Sequence, residues 1–111
     1  MKEVQILSAA RKQIRSWTIE IKKEVGVVLM RLQSGDNIGM PDIRRMPSVA
    51  RGVAEIRIQA NDGAYRTFFV LTSKFGVVVF HAFKKNTQKT PQKEIETGRK
   101  RLKEMLTELE D

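Results

Sequence analysis

The hydrophobic period of this chain changes once, across a single loop. Before the loop, Ile21, Val25, Val28, Leu29 and Leu32 recur at helical spacing and form one stripe. That spacing predicts a helix from near Thr18 to Gln33. After the loop, Ala54, Ile56 and Ile58 alternate with Glu55, Arg57 and Gln59, the period-two pattern of a strand. The segment between, Ser34 to Gly52, holds three glycines and two prolines and reads as irregular. A helical first part must therefore pack its stripe on a sheet formed by the second part. The class this dictates is α+β.

The remaining elements follow from local signals. Lys2 to Leu7 reads as a short strand, and Ser8 as the cap of a helix over Ala9 to Ser16. Trp17 sits at the joint between the two helices, where a structural role is expected. Asn61-Asp62-Gly63 signals a hairpin turn between strands Val53–Gln59 and Tyr65–Thr72. Ser73 to Gly76 turns again, and Val77 to Phe83 completes a three-strand meander. Thr90-Pro91 then opens a helix, Thr90 as N-cap and Pro91 in its first position. Ile95, Leu102, Met105, Leu106 and Leu109 share a face of it, while Gly98 in its interior suggests a close contact. The expected architecture is an antiparallel sheet (the N-terminal strand plus the meander) packed with two N-terminal helices and one C-terminal helix. One sheet face is expected to be apolar and covered, the other to carry charged side chains.

Composition limits what such a fold can do. With 111 residues there is material for one domain spanning the chain. The longest apolar run, Val25 to Met30, is far short of the ~20 residues that cross a bilayer. No membrane partner is expected, and with no signal-peptide pattern the expected location is the cytoplasm. The absence of cysteine and a single histidine exclude a thiolate zinc site and a Cys/His pair. Asp36, Asp42 and Asp62 are scattered loop carboxylates, so neither a metal nor another cofactor is expected. Charge is more informative. Lys plus Arg number 21 against 13 Asp plus Glu, a net +8. The excess concentrates in Lys84, Lys85, Lys89, Lys93, Arg99, Lys100, Arg101 and Lys103, ahead of an acidic end of Glu104, Glu108, Glu110 and Asp111. A cationic block of this kind suits a polyanion, most simply nucleic acid.

The charged sheet face is where chemistry could reside. Glu55 and Arg57 project from the first strand of the meander and Arg66 from the second. His81, Phe83 and Lys85 lie together on and just beyond the third. Cutting RNA through its own 2′-hydroxyl requires that hydroxyl to lose a proton, the phosphate to be stabilised and the 5′-oxygen to gain a proton. Arg and Lys can supply fixed charge for the second need. A Lys of lowered pKa, a His or a Glu can supply the proton transfers. Read singly, each residue has an ordinary role too: solvated strand arginines, a hydrogen-bonded histidine, lysines guarding a sheet edge.

Three motifs, in order, resemble the HigB-like, phage-derived branch of the RelE/ParE toxin superfamily. They are Gly52-Val53-Ala54-Glu55-Ile56-Arg57, then Asp62-Gly63-Ala64-Tyr65-Arg66, then His81-Ala82-Phe83-Lys84-Lys85-Asn86-Thr87-Gln88-Lys89-Thr90-Pro91. The sequence departs from the pattern at Ala54, where an aromatic is common, and at Asn86, where a second lysine is usual. The resemblance implies a RelE-like fold and the toxin of a type II toxin–antitoxin system. Its implied activity is ribosome-dependent, metal-independent mRNA cleavage, and its partners are a helix-turn-helix antitoxin, mRNA and the ribosome. By matching position, Arg57 and Arg66 become phosphate or transition-state residues, and Lys85 the basic residue acting on the scissile nucleotide. His81 becomes a base contact or proton donor. Glu55, Phe83, Lys84, Lys89 and Lys93 are expected to bind the RNA. Two alternatives remain open from sequence: a gyrase-inhibiting toxin of the same superfamily, and a non-enzymatic nucleic-acid-binding module.

Overall fold

The computed structural model describes residues 1–86 and 89–110, without the side chains of 108–110. Thr87 and Gln88 of the third motif and Asp111 of the acidic end lie outside the described residues. The side chains of Glu108, Leu109 and Glu110 do so too. The elements run β1 (Val4–Ile6), α1 (Ser8–Arg15), α2 (Ile19–Gln33), β2 (Ile43–Arg45), β3 (Val53–Ala60), β4 (Gly63–Thr72), β5 (Gly76–Lys85) and α3 (Gln92–Glu110). The fold is α+β, with five strands in the order β1-β5-β4-β3-β2.

The meander forms as its alternation dictates. Antiparallel pairing of β3 with β4 sets Arg57 opposite Arg66 and Ala60 opposite Gly63, across the Asn61-Asp62 connection. In α2, Ile21, Val25, Leu29 and Leu32 are buried, as the stripe requires, and the Thr18 hydroxyl accepts from the Ile21 amide at 3.5 Å. Two helix starts move by one residue. Ser8 is the first residue of α1, with Leu7 in the cap position. The Pro91 carbonyl accepts from Glu94 and Ile95, so α3 begins at Gln92 and not at Pro91. Leu106 is half exposed and does not join the buried stripe of Ile95, Leu102 and Met105.

Three expectations about the sheet are corrected. It is mixed, because β1 runs parallel to β5, with Val4 opposite Val77 and Ile6 opposite Val79. Gly76 permits that pairing: its φ of 74° is in the left-handed region, and a Cβ there would strike the Glu3 backbone. The Ser34–Gly52 segment is not wholly irregular, since Ile43-Arg44-Arg45 adds an edge strand to β3. Nor is one face of the sheet left to solvent. Trp17 and the α2 stripe cover Ile43, Ile56, Ile58, Tyr65, Phe69, Val77 and Val79. On the other face α3 and the Met46–Val49 turn cover Val53, Phe68, Val78, Phe80 and Phe83. The result is a sheet between two helical layers.

Candidate functional site

A bulge in β5 decides which side chains meet. Phe68 pairs with His81 and Phe69 with Val79, so Phe80 is an extra residue opposite no partner. Before the bulge, Val77 and Val79 face α2 while Val78 faces α3. One inserted residue reverses that parity. His81, Phe83 and Lys85 are thereby delivered to the α3 face, in register with Phe68, Arg66 and Ala64 of β4. Without the bulge they would share the opposite face with Val77. Regular alternation in sequence carries no sign of it.

The rows on that face are now fixed by cross-strand register. Arg44, Glu55, Phe68 and His81 form one row across four strands; Arg57, Arg66 and Phe83 form the next. Glu55 is completely buried, Arg66 is 2% exposed and Lys85 6%. Glu55 Oε1 and Arg66 Nε approach to 3.4 Å, close enough to pair electrostatically but not aligned for a hydrogen bond. Arg66 donates instead to its neighbour's carbonyl, Tyr65 O, at 3.0 Å. Lys85 Nζ reaches Thr90 Oγ1 at 3.5 Å. Arg57 is half-buried; its backbone N–H donates to Asp42 O at 2.8 Å, and its guanidinium lies 3.9 Å from Met40 Sδ.

The electrostatics follow from this burial. Desolvation raises the Glu55 carboxyl above its ordinary value, opposed by the charges of Arg66, Arg57, Lys85 and Arg44 in that order. Desolvation also lowers the Lys85 ammonium, helped by Arg66 and opposed by Glu55. Four cations thus surround one carboxylate, an excess of positive charge in a place of low polarity. Fixed positive charge of this kind is what stabilising an anion chemically requires.

The other sequence-derived candidates separate from this cluster. His81 is buried, and α3 takes both of its ring nitrogens: Nε2 lies 2.9 Å from Glu94 Oε1, and Nδ1 lies 2.7 Å from Arg101 Nη1. Arginine can only donate, so Nδ1 accepts and Nε2 carries the hydrogen given to Glu94. Burial lowers the His81 pKa, Glu94 opposes that shift and Arg101 adds to it, consistent with a neutral ring. Phe83 is buried edge-to-face on Phe68 at 5.3 Å. Lys84 turns to the opposite face, pairs with Asp62 at 3.0 Å and lies over the Tyr65 ring. Lys89 is exposed. Lys93, also exposed, borders a groove of about 400 Å³ between α1 and α3, with Gln13, His81, Glu94, Thr97 and Arg101.

Sequence alone does not point to Arg44, which lies in the irregular-looking Ser34–Gly52 segment, or to the Glu94 and Arg101 clamp on His81. The clamp had a readable signal, since positions 94 and 101 are two helical turns apart on one face of α3. Among the described residues no group of His, Asp and Glu is placed to hold a metal ion. No described helix is long and apolar enough to cross a membrane.

The chain is an α+β protein with a partly buried cluster of basic residues on one face of a mixed sheet that lies between helical layers. Residues 12–103 match the family described as Phage derived protein Gp49-like (DUF891), and the chain belongs to that family. The family is part of the RelE/HigB-like toxins and is associated with toxin–antitoxin systems. No curated relative matches the chain.

Proposed function

We propose that the chain is the toxin of a type II toxin–antitoxin pair, acting in the cytoplasm as a single domain that cleaves mRNA on the ribosome. The observation that supports this reading is the convergence of Arg57, Arg66 and Lys85 around Glu55 on one sheet face. In this reading Arg57, the most accessible of the three, receives the scissile phosphate. Arg66 and Lys85 form the floor beneath it and stabilise charge as it grows on the phosphoryl oxygens. The substrate's 2′-hydroxyl attacks the adjacent phosphorus, the bond to the 5′-oxygen breaks, and a 2′,3′-cyclic phosphate and a 5′-hydroxyl result. The lowered pKa of Lys85 suits it to the proton transfers. Glu55, with no exposed surface, is a positioning residue that orients Arg66. His81 holds α3 against the sheet through Glu94 and Arg101. Lys84, Lys89 and Lys93 steer the RNA backbone, and the cognate antitoxin keeps the toxin inactive.

The test is expression of the chain in growing cells, with and without the antitoxin gene. Growth arrest with truncated messages, relieved by the antitoxin, is expected. Arrest with intact messages and broken DNA would overturn the reaction and favour a gyrase target. Intact messages without arrest would favour a passive nucleic-acid binder.

A further inference from the structure

The strand β2 carries two adjacent arginines, both exposed and on opposite faces of the sheet. Arg44 pairs with Glu55 and shares its face; Arg45 pairs with Ala54 and shares the other. Arg44 stands diagonal to Arg57, which follows Glu55 by two residues along β3, a separation of about 7–8 Å. Its charge acts on Glu55, Arg66 and Lys85 alike. Glu55 is engaged with Arg66, and among the described residues Arg44 forms no ion pair. Arg66 lies two strands across and one row along from Arg44, more than about 10 Å away. That is wider than one phosphate covers.

We propose that Arg44, with Arg57 beside it, forms a second phosphate subsite that binds the backbone of single-stranded RNA next to the scissile phosphate. This rests on the reading of the cluster as an RNA-cleaving site. An arginine that merely guarded an edge strand against aggregation would serve equally well at position 45. A phosphate contact on the cluster face can come only from position 44. The two neighbours therefore form an internal control with identical loss of charge.

The experiment uses the full chain and a single-stranded 2′-O-methyl RNA oligonucleotide, which cannot be cut. Affinity is measured over a range of salt concentrations for the parent, Arg44→Gln, Arg44→Lys and Arg45→Gln. Each phosphate contact on a single strand contributes about 0.7 to the slope of log affinity against log salt. The slope is expected to fall by about 0.7 in Arg44→Gln, with weaker binding to every sequence alike. Arg44→Lys and Arg45→Gln should keep the parental slope. Equal slope changes at 44 and 45, an unchanged slope in Arg44→Gln, or no salt-dependent binding by the parent each overturn the inference. Thermal melts identify any variant that has unfolded; Arg44→Ala then replaces Arg44→Gln, with the same expected fall in slope. Cleavage of natural mRNA is assayed separately. An Arg44-dependent slope in a chain that cuts nothing leaves the subsite standing and removes the nuclease reading.

Discussion

Glu55 and Arg66 face each other at 3.4 Å on adjacent strands, both almost without exposure, and neither is aligned to hydrogen-bond the other. A buried pair of this kind adds little net stability, because desolvation offsets the attraction. Removing one partner is different, since the other is left as an uncompensated buried charge. Glu55→Ala is expected to cost about 3–5 kcal/mol. The double variant Glu55→Leu/Arg66→Met should recover most of that loss while abolishing toxicity. Urea denaturation of the three proteins checks this. A single variant within 1 kcal/mol of the parent would show that water reaches the pair.

His81 links stability to pH. Its folded pKa lies below the ordinary 6.5 because burial and Arg101 disfavour the imidazolium more than Glu94 favours it. Below that value the unfolded chain takes up a proton that the folded chain resists. Folding stability therefore falls as pH drops through about 6.5 and is retained above it. Since the chain has one histidine, the effect has one source of its type. The melting temperature of the parent is expected to fall between about pH 7.5 and pH 5.5, and to fall less in His81→Gln. Glu55 titrates in both proteins and so cancels in the difference. Equal slopes in the two proteins would show that the ring is not held neutral.

The parts of this fold legible in sequence are those in which one residue's neighbours determine its place. The α2 stripe and the β3–β4 hairpin are of this kind: Ile56 and Ile58 must face one way, and Asn61-Asp62-Gly63 fixes the register that sets Arg57 against Arg66. What sequence did not show depends on distant chain. Ile43-Arg44-Arg45 is too short and too close to proline to read as a strand, and becomes one by pairing with β3. The direction of β1 is set by Val77–Val79, more than seventy residues away. The charged face looked solvated because Glu55 and Arg57 alternate with apolar residues. In the structure Glu55 and Arg66 are buried beside each other on that face, so alternation there marks a partly polar interior. Grouping Arg57, Arg66 and Lys85 was possible from sequence, but their burial and the bulge at Phe80 that unites them were not.

Gly98 is where α3 meets the sheet. A Cβ at this position would lie 2.9 Å from Cδ2 and Cε2 of Phe68 and 3.5 Å from Val49 Cγ1. Phe68 has no exposure and is wedged among Phe80, His81 and Phe83, so its ring cannot retreat. In an exposed helix Gly→Ala adds about 1 kcal/mol of stability. Here overpacking costs about 1–3 kcal/mol and reverses the sign. Gly98→Ala should be less stable than the parent, and introducing Phe68→Leu alongside it should restore part of the loss. A stabilised Gly98→Ala would mean that α3 can lift from the sheet.

The variants that address the chemistry differ in how cleanly they report on it. Arg66→Ala removes a charge from the cluster but also takes from buried Glu55 its ion-pair partner, so its loss of toxicity combines two causes. Arg57 is half-buried and holds no carboxylate in an ion pair among the described residues, so Arg57→Ala leaves the core intact. Lys85 lies between these cases, buried but bonded to the Thr90 hydroxyl. Losing a charge that stabilises the transition state costs about a hundredfold in rate. Arg57→Ala and Lys85→Ala are each expected to reduce message cleavage by roughly that factor, with melting temperature and antitoxin binding preserved in Arg57→Ala. Lys100→Ala, on the exposed side of α3, should give a small loss that shrinks at high salt, as for a steering charge. The measurement is cleavage on translating ribosomes, each variant paired with a thermal melt. If Arg57→Ala and Lys85→Ala both stay folded and cleave at the parental rate, the reaction does not take place on this face of the sheet.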